Sequence, residues 1–227
     1  MIWRFGRFCC CIALWVCCVS ARSSEYGWIG TNSLALPRVG EHNLRILAPT
    51  LLELTLITTK KDEVSRVSAW DFVGANFALK LPPASSFRVL VNGKESAVSK
   101  IDFKRRPLYA PLKNRDLRIL NQLYLGLDAP IQEGQTVEVS NPDQRLWKAP
   151  QKFEAVAEAQ RFNPAIHVNQ AGYAPGLPKR AMAGYYLGSG GEMKINAEKF
   201  RLVDRGGKVV FEGKLRRRPD KGFTYSP

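Results

Sequence analysis

Apolar and polar residues alternate along this chain in short runs, broken by Gly, Pro and Asn. Leu44 and Ile46 form one such run before Pro49. Leu52, Leu54 and Leu56 form the next, alternating with Glu53 and Thr55, so that each predicts a strand with one apolar face. Phe87, Val89 and Val91 lie on one side of Asn92-Gly93 and Ser96 to Val98 on the other. Both turn residues tolerate positive φ, so the pattern predicts a hairpin closed by a type I′ turn. Ile101 and Phe103 extend its second arm until Pro107 and Pro111 interrupt pairing. Leu123, Leu125 and Leu127 alternate with Tyr124 on the opposite face. Asp128-Ala129-Pro130, Ile131 and a Glu133-Gly134-Gln135 turn then lead into a strand over 136–140. Regular structure is therefore expected from Leu44, as a first β-sandwich over 44–140, although periodicity alone does not separate a sandwich from a small barrel.

Residues 141–163 read as a linker. Pro142 and Pro150 break the stretch, Pro164 closes it, and 152–160 is rich in Ala, Glu and Gln. Beyond it, Ile166 and Val168 alternate with His167 and Asn169, predicting a strand with one buried face. Gly172, Pro175-Gly176 and Leu177-Pro178 hold the following segment out of pairing. A second strand is expected over 181–187, then a hairpin in which 200–204 and 208–215 flank Arg205-Gly206-Gly207.

The string Ile166-x-Val168-Asn169-Gln170-x-Gly172-Tyr173-x-Pro175 is followed by Pro178-Lys179-x-Ala181, by Phe200-x-Leu202-Val203-Asp204 and by Gly207-x-Val209-Val210. This set resembles the immunoglobulin-like domain at the N-terminus of family 9 glycoside hydrolases, the cellulase and endoglucanase family. The resemblance implies a small sandwich over 164–227 that packs against an (α/α)6 barrel carrying catalysis. No barrel lies within these residues, and the strands run out at Pro227 before the sandwich is complete. The run 119–140 is more loosely similar to the end of immunoglobulin-like or fibronectin-like sandwiches. The expected fold class is all-β: two tandem immunoglobulin-like β-sandwiches, the second incomplete at its C-terminus. Asn169, Gln170, Gly172 and Tyr173 are expected to hold a turn and the contact with a neighbouring domain.

The N-terminus changes the picture. Arg4 and Arg7 precede an apolar run from Phe8 to Val19, and Val19-Ser20-Ala21 places small residues where a signal peptidase reads. Residues 1–21 are expected to be a signal peptide. The apolar run is shorter than the roughly 20 residues that span a bilayer, so no stable membrane span is expected. Residues 22–43 read as a loosely ordered leader. All 5 cysteines, Cys9, Cys10, Cys11, Cys17 and Cys18, lie in the signal, which leaves the secreted or periplasmic chain without disulfide, thiolate nucleophile or cysteine metal site. The net charge is +14, with basic clusters at Lys104-Arg105-Arg106, at Lys113, Arg115 and Arg118, and from Lys214 to Arg218. No zinc-finger, helix-turn-helix or RNP pattern accompanies it, so solvated basic loops are expected and nucleic acid is not an expected partner.

Glycoside hydrolysis needs two carboxyl groups across the scissile bond, roughly 6.5–9.5 Å apart in inverting enzymes. The resembled family keeps its pair, including an Asp-x-x-Asp motif, in the barrel, and nothing here matches that motif. Asp71, Asp102, Glu138 and Asp204 fall in strands or turns, where surface or capping roles are the default. His42 and His167 have no legible catalytic partners, and no cofactor or metal is expected. Trp70, Trp147 and Tyr173 invite stacking on a polysaccharide, with core packing the more ordinary role of each. Two readings follow: the non-catalytic N-terminal portion of a secreted cellulase-like polysaccharide hydrolase, partnered by a catalytic barrel of the same polypeptide, or a free-standing secreted carbohydrate-binding or adhesion module.

Overall fold

The structure, a computed structural model, describes residues 37–59, 65–110, 117–169 and 171–218. The expected signal peptide, most of the leader and Gln170 lie outside the described residues. Eight strands build the first unit: β1 (His42–Ala48), β2 (Leu51–Thr59), β3 (Arg88–Val91), β4 (Lys94–Ser96), β5 (Val98–Tyr109), β6 (Arg118–Leu127), β7 (Thr136–Ser140) and β8 (Phe153–Val156). They form two antiparallel four-stranded sheets, in the orders β1-β2-β6-β5 and β4-β3-β7-β8. The sheets share one core: Leu44, Ile46, Leu52, Leu54, Leu123 and Leu125 of the first meet Val89, Val137, Val139 and Phe153 of the second. Period-two alternation is what sends these side chains to a common layer.

Aromatic packing closes one end of this core. Trp70 is fully buried, 6.0 Å centre to centre from both Trp147 and Phe153, and its indole N–H donates to Leu146 O at 3.3 Å. Trp147 meets Phe153 edge-on at 4.8 Å and lies 6.2 Å from Phe87. Both tryptophans are core residues and offer no open ring for a sugar.

Three expectations change. Residues 141–163 are not a free linker: β8 is the edge strand beside β7, and Leu146, Trp147, Phe153 and Ala157 belong to the core. The prolines conceal this because the turn before β8 is held by side-chain bonds. Asn141 donates to Ser86 O at 2.7 Å and accepts from the Leu146 amide at 2.8 Å. Ile101 and Phe103 do not lengthen the β3–β4 hairpin; the chain crosses to the other sheet at Ala97, and β5 runs on through Pro107, which pairs with Ile119. β5 is an edge strand, where a residue without an N–H is tolerated. Order also begins before Leu44: Gly40 N donates to Ile57 O, and the His42 ring packs edge-on against Phe153 at 5.1 Å.

Past the sandwich, the described residues form two ribbons, β9 (Ile166–His167) with β10 (Met182–Ala183), and β11 (Lys199–Val203) with β12 (Val209–Lys214). The β11–β12 turn is tied by Asp204, whose carboxylate accepts from the amides of Gly206 and Lys208, both at 2.9 Å. The molecule is all-β in its strands, and this C-terminal part is an open layer. Ile166 and Val168, expected to face a core, are exposed because no second layer covers them among the described residues.

Phe153→Ala distinguishes a core strand from a linker. A fully buried Phe truncated to Ala costs about 3–5 kcal/mol, whereas an exposed linker position costs under about 0.5 kcal/mol. Urea unfolding of the variant is expected to show the larger loss.

Candidate functional site at the inter-unit seam

Strand alternation turns a second set of side chains to the outer face of the β1-β2-β6-β5 sheet. Cross-strand register puts Arg45 opposite Glu53, Glu53 opposite Tyr124, and Tyr124 opposite Asp102, so the four form one row across the sheet. On an open sheet this face meets water. Here it is covered, and Arg45 and Glu53 are 4% and 0% exposed.

The cover is the C-terminal segment. Arg161 donates to Ile46 O at 3.0 Å and Asn163 to Leu47 O at 2.7 Å, which lays the chain along β1. The Phe162 ring lies 5.7 Å from the Arg45 guanidinium carbon. Tyr185, Leu187 and Met193 then pack with Leu47, Leu51 and Tyr124 in a second apolar cluster. A 3-10 turn at Gly188–Gly190 brings Ser189 Oγ to the Phe103 amide at 2.9 Å. Glycine is required at this contact: a Cβ on Gly188 would stand 2.2 Å from Phe103 O, and one on Gly190 would stand 2.5 Å from the Asp102 carboxylate.

Glu53 is the centre of the seam. One carboxylate oxygen accepts from Arg45 Nη1 at 2.9 Å. The other accepts from Gln122 Nε2 at 2.6 Å and from the Tyr185 hydroxyl at 2.8 Å. Burying an ion pair is costly unless the remaining lone pairs are satisfied. Gln122 comes from the sandwich and Tyr185 from the segment, so satisfaction of Glu53 requires both units. Lys104 also reaches across, donating to Tyr186 O at 3.1 Å with its ammonium over the rings of Tyr185 and Tyr186. Burial lowers the Lys104 pKa, with Arg106 adding to the effect and Glu53 opposing it. Both Tyr124 and Tyr185 are held well above the usual phenol range, by burial first and by the Glu53 charge next.

The residues singled out from the sequence lie in another loop. Asn169 Oδ1 accepts from the Ala171 amide at 3.1 Å, and the Tyr173 hydroxyl accepts from the Asn169 amide at 3.0 Å while donating to Arg180 O. Gly172 sits at φ +89°. These bonds close the 169–180 loop on itself, and the inter-unit contact is made instead by Arg161, Asn163, Tyr185, Leu187, Ser189 and Met193. For Tyr185 and Leu187 a legible signal existed: the run Tyr185-Tyr186-Leu187 has no polar alternation, and its side chains are buried or half-buried. His167 Nε2 contacts Gly184 O at 2.9 Å, a structural bond. The basic residues of β5 and β6 are not simply solvated loops, since Arg105 pairs with Asp71 and Arg118 donates to Pro37 O. Arg216, Arg217 and Arg218 are exposed.

Among the described residues no group of three or more His, Cys, Asp and Glu is placed to hold a metal ion, and no helix is long and apolar enough to cross a membrane. The seam is a structural interface between an eight-stranded sandwich and the C-terminal segment. Residues 161–225 match the family described as the cellulase N-terminal ig-like domain, so this part of the chain is a cellulase-like, non-catalytic immunoglobulin-like domain. No curated protein and no solved structure matches the chain.

Tyr185→Phe removes one bond to a buried carboxylate, which is worth about 1.5–3 kcal/mol. In a Glu53→Gln background the same substitution is expected to cost less, giving a coupling of about 0.5–3 kcal/mol in a double-mutant cycle; additive effects would contradict a direct bond between the two side chains. Alkaline pH supplies a second check. A phenol that ionises near pH 10 in the unfolded chain but higher in the folded one leaves stability intact below about pH 10 and removes it as pH rises further. Stability is expected to fall above pH 10, by up to about 1.4 kcal/mol per pH unit for each phenol, and Tyr185→Phe with Tyr124→Phe flattens that slope.

Proposed function

We propose that this chain is the non-catalytic N-terminal portion of a secreted polysaccharide hydrolase resembling the family 9 cellulases, with hydrolysis of β-1,4-glycosidic bonds in glucans as the activity of the parent enzyme. The observation that carries this reading is the match of residues 161–225 to the cellulase N-terminal ig-like domain. Residues 1–21 act as the export signal, and the catalytic barrel is a further domain of the same polypeptide.

The acidic side chains support a non-catalytic role. Glu53 is buried in an ion pair, Asp71 is held by Arg66 and Arg105, Asp102 by Lys100 at 2.7 Å, Glu138 by Lys152 at 3.2 Å, and Asp204 ties a turn. A general acid for glycoside cleavage needs a carboxyl in a cleft beside the scissile oxygen. The open β11–β12 ribbon supports the presence of a covering body. Register puts Phe200, Leu202 and Phe211 on one side, and all three are exposed. An apolar strip of this kind marks a contact surface in a soluble protein. In this reading Asn169, Gly172 and Tyr173 are turn-fixing residues that shape the loop between β9 and β10; Gln170 lies outside the described residues.

The test is turnover on soluble and insoluble β-1,4-glucans. The purified 227-residue chain is expected to be inactive, and the polypeptide extended through its downstream reading frame is expected to release reducing sugar. Robust hydrolysis by the chain alone, or an extension that adds no glucan-hydrolysing domain, contradicts the proposal.

A further inference from the structure

Residues 72–80 form a small hairpin rooted in the sandwich. Phe72 is buried and meets Phe103 edge-on at 5.1 Å, and the loop base is tied by Asp71 to Arg105 and by Arg66 to Val73 O. Its arms are closed by Lys80 N to Phe72 O at 2.9 Å, by Gly74 N to Ala78 O at 2.7 Å and by the Val73–Leu79 bridge. At the tip, Ala78 N donates to Ala75 O at 3.2 Å, and the two residues between them are both left-handed, Asn76 at φ 56° and Phe77 at φ 59°. A type I′ turn requires this backbone, and Gly is the residue that adopts it freely at the second position. Phe there is strained, and its ring is 89% exposed. Both the backbone and the hydration of the ring oppose this choice, so neither local propensity nor core packing accounts for it.

We infer that Phe77 is a sugar-stacking platform, presented by a rigid turn for the C–H face of a pyranose ring in a polysaccharide. The surroundings favour a sugar over a protein. A stable protein interface buries about 800 Å² per partner around a cluster of large apolar anchors. Here the exposed neighbours are Ala75, Asn76, Ala78 and Lys80, with Leu79 the nearest further apolar side chain in sequence. Small residues on either side leave the ring faces uncrowded. Asn76, the residue before Phe77, carries a hydrogen-bond donor, so an apolar ring and a polar side chain stand together at the tip, the mixture that orients a small polar ligand. The inference stands on the loop geometry and does not depend on where catalysis lies.

The experiment is affinity electrophoresis of the full chain through gels containing either a soluble neutral β-glucan or a soluble polyuronate, with thermal unfolding of each variant alongside. Wild-type protein is expected to be retarded. Phe77→Ala and Phe77→Gly are expected to weaken that retardation at least tenfold, Phe77→Trp to retain it, and Phe77→Gly to unfold at an equal or higher temperature because glycine relieves the left-handed strain. Loss confined to the neutral gel or to the polyuronate gel tells which polymer the ring takes. No retardation of the wild type in either gel overturns the inference. So does retardation that Phe77→Ala leaves unchanged, including salt-sensitive retention on polyuronate carried by the basic side chains.

Discussion

The buried carboxylate of Glu53 is the constraint on which the relation between the two parts of this molecule depends. An ionised side chain with no exposed surface is tolerated only when its charge and its lone pairs are met. Arg45 meets the charge, Gln122 satisfies one side from within the sheet, and Tyr185 arrives from a segment more than a hundred residues further along. If that segment lifted away, water would replace one hydrogen bond, but the apolar contacts of Leu187 and Met193 with Leu47 and Tyr124 would be lost with it. The seam thus combines a non-directional apolar term with a polar term that accepts one geometry. The first favours contact, and the second selects its register.

This gives the sandwich a role in relation to the segment that matches the cellulase N-terminal domain. Where that segment leaves the sandwich, its ribbons carry exposed apolar residues. Where it lies on the sandwich, Gly188 and Gly190 allow its backbone to approach β5 more closely than any side chain would permit. The sandwich therefore holds one part of the segment and leaves the ribbons open.

Much of the first sheet was legible because its inner face obeys a strict alternation: Leu52, Leu54 and Leu56, then Leu123, Leu125 and Leu127, all face one core. The Asn92-Gly93 turn was legible for the same local reason, with φ at +47° and +75°. What alternation does not encode is a second layer. Glu53 and Thr55 read as outward and solvated, yet they are buried, because the cover comes from distant sequence. β8 was hidden by Pro142 and Pro150, which suggest a linker unless the Asn141 network is known. The 169–180 loop was singled out by its motif, and its bonds are local; the seam residues carry no motif. Phe77 was invisible, since an apolar residue in a short irregular stretch reads as core.

The central claim is that sandwich and segment form one cooperative body through this seam. Native-state hydrogen exchange over a series of denaturant concentrations tests it most directly. The amides of Leu187 and Met193, bonded to Gly191 O and Tyr185 O, are expected to exchange only through the same global opening as the amides of β2 and β6. Exchange of Leu187 and Met193 through a low-energy, denaturant-independent opening, while β2 and β6 stay protected, would contradict the account.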